Sequence, residues 1–354
     1  MKKQFFIAFI FLLFQTQNFA QEKSISASSN DPSTTKLNIS EANKALDDIL
    51  DITEKISIYR KNVKWKTILP QVRSTLDINA PNVFLAVKPS VELLLDKLND
   101  NHSFLLYNNK ERAHRANPKN FESTINPITL ETLKQDDKKV KTEKLTDNIG
   151  YILIPSNNID LSDREKQEII LGQEIRDSLC NLLPEKLKGI VVDLRINTGG
   201  NMFPMVGGLG PIIGDGDAGF IISNGKTINS WSINNGSIKG LTLENNCEQN
   251  HNIKIVILIG PATGSSGEIT AISFIGKPNI KLIGENSAGY TTANTTIKIA
   301  ENLHFFLAIA YDADRNKKEY RNFITPDITI KDGDNFKDLS QDKKIQKAIE
   351  WINQ

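Results

Sequence analysis

The chain has 354 residues, 39% hydrophobic and 24% charged, enough for two average domains or one large α/β domain with an appendage, and wholesale disorder is excluded. Lys+Arg 43 against Asp+Glu 42 leaves a formal charge of +1, which speaks against a nucleic-acid partner. Four histidines and two cysteines, with no Cys-x-x-Cys or His-Glu-x-x-His spacing, argue against a metal site, and no cofactor is expected.

Lys2 and Lys3 precede an apolar run from Phe5 to Phe14, and Phe19-Ala20-Gln21 places a small residue at a break. This is the pattern of a secretory signal peptide over residues 1–20, because the apolar run is about half of what spans a bilayer. No cysteine stands there for a lipid anchor, and no later apolar stretch is long enough to span. The expected product is exported, periplasmic or secreted, without stable membrane insertion after cleavage. Export would permit a disulfide between Cys180 and Cys247, whereas the amphipathic run from Ile175 to Leu183 would equally bury Cys180 as a thiol.

Residues 21–37 are polar and read as a flexible leader. Over 38–107 a small helical domain is expected, with Leu46, Ile49, Leu50 and Ile56, then Val91, Leu94, Leu95 and Leu98, recurring near the helical period. Asn99-Asp100-Asn101 ends its last helix, and His102-Ser103 follows at once. Residues 108–148 are charged and irregular, a connecting segment with a solvated Lys138-Lys139-Val140-Lys141 surface.

The character changes at Gly150. Tyr151–Ile154, Gly189–Leu194, Ile253–Ile259 and Lys281–Gly284 are β-branched runs separated by helical patterns at 163–183, 201–213 and 267–276. That alternation predicts an α/β core over 149–335 with a largely parallel sheet. Thr295–Ala300 and Leu303–Tyr311 flank Glu301-Asn302 as a hairpin, and 336–354 closes with a helix from about Asp342 to Ile352.

Three loops carry residue types suited to chemistry. Gly260-Pro-Ala-Thr-Gly-Ser265-Ser266-Gly267-Glu268 lies between an apolar strand and an apolar helix. A serine there would act where free backbone N–H groups favour a developing oxyanion, or would simply cap the helix. Its spacing is not the Gly-x-Ser-x-Gly elbow of α/β-hydrolases. Asp193-Leu-Arg195-Ile-Asn197-Thr-Gly199-Gly200-Asn201 also joins a strand to a helix, and its paired glycines let the backbone approach a ligand and present N–H groups to it. A phosphate cradle is the rival, though no Gly-Lys-Ser/Thr or Gly-x-Gly-x-x-Gly follows, and an ordinary turn is the plain reading. Asp100-Asn101-His102-Ser103 offers an imidazole, the side chain suited to general-base work near neutrality. His114, His251 and His304 are the other histidines.

Taken in order, Asp193-Leu-Arg-x-Asn-x-Gly-Gly200, Ser265-Ser-Gly-Glu268, Gly284-Glu285-Asn-Ser-Ala-Gly289 and Pro326-Asp327 resemble the serine peptidase family of C-terminal processing (tail-specific) proteases, which includes the tricorn core protease. The resemblance covers roughly residues 85–335. It implies a Clp-protease/crotonase-like α/β core with a mixed, largely parallel sheet, preceded here by the small helical domain. It further implies Ser265 as nucleophile and an oxyanion hole from Gly199, Gly200 and the N–H of Ser266. The lysine that tail-specific proteases pair with the serine is replaced by Tyr290, and no lysine follows before Lys298. The tricorn-like subgroup instead implies a histidine base from the N-terminal side, which His102 matches, oriented by an acid: Glu319, with Asp314 and Glu285 behind it. Too few residues separate His102 from Gly150 for the PDZ domain many relatives carry. The expected substrate is a peptide or unfolded protein, read by the core itself. Two alternatives stand beside this: a degenerate member that binds peptides or apolar ligands, and a crotonase-type acyl-thioester enzyme.

Overall fold

The fold was obtained as a computed structural model that describes residues 38–117, 124–135, 139–159, 163–182, 187–244, 247 and 253–354. The expected signal peptide and leader lie outside the described residues, as does His251. Among the described residues no helix is long and apolar enough to cross a membrane.

Amphipathic periodicity gives three N-terminal helices, α1 (Ile39–Ile56), α2 (Trp65–Arg73) and α3 (Val83–Leu98). They bury Leu46, Ile49, Leu50, Val91, Leu94, Leu95 and Leu98 in one cluster, which continues into Leu303, Phe305 and Leu307 of the core. The helices are therefore packed on a sheet and share its hydrophobic contacts. The segment expected to be irregular contains regular elements: after β1 (Phe104–Tyr107) come β2 (Glu111–Ala113), α4 (Pro127–Leu133) and β3 (Lys141–Thr146). β3 is a mostly exposed edge strand, so its charged sequence is what an edge needs.

The remaining elements are β4 (Ile149–Leu153), α5 (Arg164–Leu182), β5 (Gly189–Asp193), α6 (Met202–Gly208), α7 (Gly210–Ile213), β6 (Gly216–Ser223), β7 (Lys226–Asn234), β8 (Ser237–Ile238) and β9 (Lys254–Ile259). They are followed by α8 (Ser266–Ile272), β10 (Ile280–Gly284), β11 (Thr292–Ala300), β12 (Leu303–Ala313), β13 (Ile328–Thr329) and α9 (Lys343–Asn353). One six-stranded sheet has the order β13-β10-β9-β5-β4-β3, parallel except for β3. Its strands β4 and β5 are buried along their whole length, which explains why they read as unbroken apolar runs. The second sheet is antiparallel, in the order β2-β1-β12-β6-β7-β8, with β11 also paired to β12. The architecture is thus the expected α/β core with sheets of mixed orientation and a helical N-terminal region.

Two features tie the segments together. Cys180 on α5 and Cys247 form a disulfide, so the pairing and not the buried thiol is realised. Arg195, just past β5, is buried among Asp193 (2.6 Å), Asp334 (2.5 Å) and Asp342 (2.6 Å), with its guanidinium over the Phe336 ring. This network fixes the C-terminal segment against the strand that leads to the Gly199–Gly200 turn.

Candidate active site

The adjacent parallel strands β5 and β9 end side by side, and the loops that leave them carry the glycine pair and the serine. Carboxyl ends of parallel strands are where open α/β sheets place their ligands. Ser265 caps α8 with φ +51° and ψ −117°, a backbone conformation that non-glycine residues adopt only when their surroundings impose it. Fully buried Glu268 is one such constraint. Its Oε2 accepts the N–H of Ser265 (2.8 Å) and of Tyr290 (2.8 Å), and its Oε1 accepts Gly289 N–H (2.9 Å) and the Ser287 hydroxyl (2.5 Å). Burial pushes this carboxyl up to about 7, while the four donors pull it down.

His102 reaches the serine from the far end of the chain. Asn99 ends α3 in the left-handed region (φ +56°), and Asp100 then turns the backbone by accepting the N–H groups of His102 and Ser103 (both 2.9 Å). The Ser103 hydroxyl donates to Asp100 (2.5 Å) and accepts Ala308 N–H (2.9 Å), which fastens the turn to β12. The result places His102 Nε2 at 2.9 Å from Ser265 Oγ, across 163 residues of sequence. Its Nδ1 lies 2.7 Å from the Thr292 hydroxyl, and Asn294 donates to its carbonyl (3.0 Å). The Tyr290 ring, at the position where tail-specific proteases carry a lysine, sits 5.4 Å from the imidazole. Burial pushes the half-buried imidazole down to about 4, Thr292 opposing and His114 adding to the shift. His114 itself lies against the Phe104 ring, and His304 is on β12.

The glycine turn is packed onto the serine. A Cβ on Gly199 would come within 2.9 Å of Ser265 Cβ, and one on Gly200 would strike the Asn157 carbonyl at 1.4 Å. Both glycines have positive φ, +112° and +122°. Their N–H groups differ in use. Gly199 donates to Asn197 Oδ1 (3.0 Å), whereas Gly200 and Ser266 have no backbone N–H partner among the described residues. The Ser266 hydroxyl donates to the Gly200 carbonyl (2.9 Å), holding the two segments together.

None of the three carboxylates expected behind the imidazole is hydrogen bonded to it. Glu319 accepts from Arg321 (2.7 Å). Asp314 caps its own turn through Asn316 and Lys318 N–H and accepts from the Tyr320 hydroxyl (3.1 Å). Glu285 pairs with buried Lys344 (3.0 Å). Each is spent on a neighbour, and the side chain at His102 Nδ1 is Thr292.

The sequence does not single out Thr292, and it offers Glu268 and Asn197 only as parts of motifs. Asn197 donates to the carbonyls of Ile154 (3.1 Å) and Pro155 (3.2 Å), and its own carbonyl accepts Gly264 N–H (2.9 Å), joining three loops. The spacing of Glu268 three residues after Ser265 is a capping-box signal. No comparable signal marks Thr292.

The family model described as peptidase family S41 matches residues 148–330. The nisin-resistance protein of Lactococcus lactis subsp. lactis is 37% identical over 168 residues, 46% of this chain and 49% of that protein. Carboxy-terminal processing protease CtpA of Bacillus subtilis (strain 168) is 26% identical over 159 residues, 45% of this chain and 32% of that one. The chain thus aligns with about half or less of the length of these curated relatives. A solved lipoprotein from Streptococcus agalactiae has the same fold, with a TM-score of 0.66 at 22% identity, covering 93% of this chain and 99% of that one.

Proposed function

Because the chain belongs to peptidase family S41, we propose that it is an exported serine peptidase that cleaves peptides or unfolded polypeptides through an acyl-enzyme. The observation that carries the reading is the 2.9 Å approach of His102 Nε2 to Ser265 Oγ, between segments with no local reason to meet. In this mechanism Ser265 attacks the scissile carbonyl, and His102 takes its proton and returns it to the leaving amine. The free N–H groups of Gly200 and Ser266 receive the oxyanion, while Gly199 shapes the turn. Residues 38–107 supply the base, and 149–335 supply the nucleophile and oxyanion donors. A base held near 4 stays neutral through the physiological range, so kcat/KM should fall on the acid side only near pH 4. Export rests on the signal-peptide pattern of residues 1–20, and the likeness to a carboxy-terminal processing protease favours polypeptide ends as substrate.

The test is covalent labelling by a serine-directed fluorophosphonate, alongside cleavage of unfolded protein. Labelling of the parent and its loss in Ser265→Ala, with an unchanged thermal melt, is the expected result. A second reading, a peptide-binding member without turnover, draws support from the absence of a carboxylate bonded to His102 among the described residues. Failure of the parent to label would favour it.

A further inference from the structure

We infer that the Thr292 hydroxyl is the positioning residue of the Ser265–His102 pair, a neutral group that orients the imidazole and accepts the Nδ1 hydrogen of its productive tautomer in the place where a carboxylate would otherwise stand. This rests on the serine-peptidase reading given above. Thr292 is buried and opens β11, and its Oγ1 lies 2.7 Å from His102 Nδ1. Nε2 can accept the Ser265 proton only if Nδ1 carries the ring hydrogen, and that hydrogen then points at Thr292 Oγ1. When His102 becomes imidazolium, the same hydroxyl goes on accepting from Nδ1, so nothing has to rearrange during the proton transfer.

The surrounding bonds hold that oxygen still. Two residues before it, Tyr290 N–H is clamped by Glu268 (2.8 Å). One residue before it, the Thr291 hydroxyl donates to the Asn322 carbonyl (2.7 Å) with the Tyr320 carbonyl also in reach (3.0 Å), and the Thr291 carbonyl accepts Asp312 N–H (3.1 Å). Two residues after it, Asn294 donates to the His102 carbonyl (3.0 Å), so one strand grips both the ring and the backbone of the same histidine. The charge of the partner has a consequence. A carboxylate would favour the imidazolium and raise the pH at which the base is lost, and a hydroxyl does not. The enzyme thereby keeps a neutral base in acid, with less support for the charged intermediate.

The experiment compares the parent with Thr292→Val, Thr292→Ser and Thr292→Asp. It measures fluorophosphonate labelling rate against pH, thermal melts, and the His102 tautomer by 15N NMR of histidine-labelled protein. Thr292→Val should slow labelling by about ten- to a hundredfold, the worth of one hydrogen bond to a group that becomes charged. Thr292→Ser should recover most of that rate, and Thr292→Asp should move the acid limb to higher pH. The parent should show the Nδ1–H tautomer and Thr292→Val a mixture. Unchanged labelling and an unchanged tautomer in a folded Thr292→Val would overturn the assignment. If the parent itself is not labelled, the peptidase reading fails separately, and the tautomer comparison still decides the role of Thr292. If Thr292→Val does not fold, Thr292→Ser and Thr292→Asp decide it: a Thr292→Asp acid limb that coincides with the parent's would overturn the assignment.

Discussion

Replacing Asp312 by asparagine should make the protein more stable in alkali than in acid, relative to the parent. Asp312 lies near the end of β12, fully buried, and neither carboxylate oxygen has a hydrogen-bond partner among the described residues. Burial, with the nearby Glu268 carboxylate adding to it, pushes its pKa up from 3.8 to about 8. The folded state therefore holds a proton on Asp312 that the unfolded chain releases near pH 4. Between pH 4 and 8 the native state binds more protons than the unfolded one, so this group's contribution to stability falls as pH rises. A shift of about four units at about 1.4 kcal/mol each bounds the loss at on the order of 5 kcal/mol, complete above pH 8. Asparagine has nearly the same volume and no charge to desolvate, but it brings a buried amide that itself wants partners, at about 1–3 kcal/mol. At pH 5 the variant should thus match the parent or be slightly weaker. At pH 9 it should be stronger, and the crossover lies between. Urea midpoints of both proteins at half-unit steps from pH 5 to 9 give the difference curve directly. A difference independent of pH would refute the reasoning, because it would mean that Asp312 titrates alike in the folded and unfolded chains.

Two further outcomes follow from the geometry. Gly200→Ala must push the turn away from the Asn157 carbonyl, since its Cβ would lie 1.4 Å from that oxygen; labelling of Ser265 should fall by about 100- to 1,000-fold, as when one oxyanion donor is lost, and a parent-like rate would exclude the turn from the site. Reducing the Cys180–Cys247 disulfide, which closes a loop with a separation of 67 residues, should lower stability by about 4 kcal/mol on the chain-entropy account, so melts that coincide with and without reductant would show that the bridge adds nothing.

The elements that sequence made legible are those whose pattern is set locally by burial. Tyr151–Ile154, Gly189–Leu194 and Ile253–Ile259 are apolar on both faces because helices cover both, and all three are found as central strands. The Glu301-Asn302 turn is equally local, Asn302 taking the left-handed conformation (φ +56°). β3 was not legible, because a solvated edge strand carries the composition of a loop and is defined only by its pairing to β4. At the site, Ser265 and His102 stand in loops whose turn residues announce them, and the structure brings the two together. The resemblance points to a carboxylate as the partner of the imidazole, and Glu319, Asp314 and Glu285 are all bonded elsewhere. Thr292 lies in the run Tyr290-Thr-Thr-Ala-Asn-Thr-Thr296, where nothing local distinguishes one threonine from the next. Only a contact across 190 residues selects it.

That contact also shows what fixes the geometry of the pair. Each of the three segments that meet at Ser265 is held by a side-chain oxygen accepting backbone N–H groups. Asp100 does this for His102 and Ser103, Asn197 for Gly199, and Glu268 for Ser265, Gly289 and Tyr290. Such bonds act on the main chain, so they set the direction of a side chain without touching its reacting atom. Glu268 matters most in this respect, because a single buried carboxylate fixes both the serine turn and the segment that delivers Thr292 to the imidazole. A serine held at φ +51° would otherwise relax, at a gain of about 1–3 kcal/mol, and Oγ would leave His102. The positions of Ser265, His102 and Thr292 are therefore coupled through the backbone, and both ring nitrogens of the imidazole meet a hydroxyl, Ser265 at 2.9 Å and Thr292 at 2.7 Å.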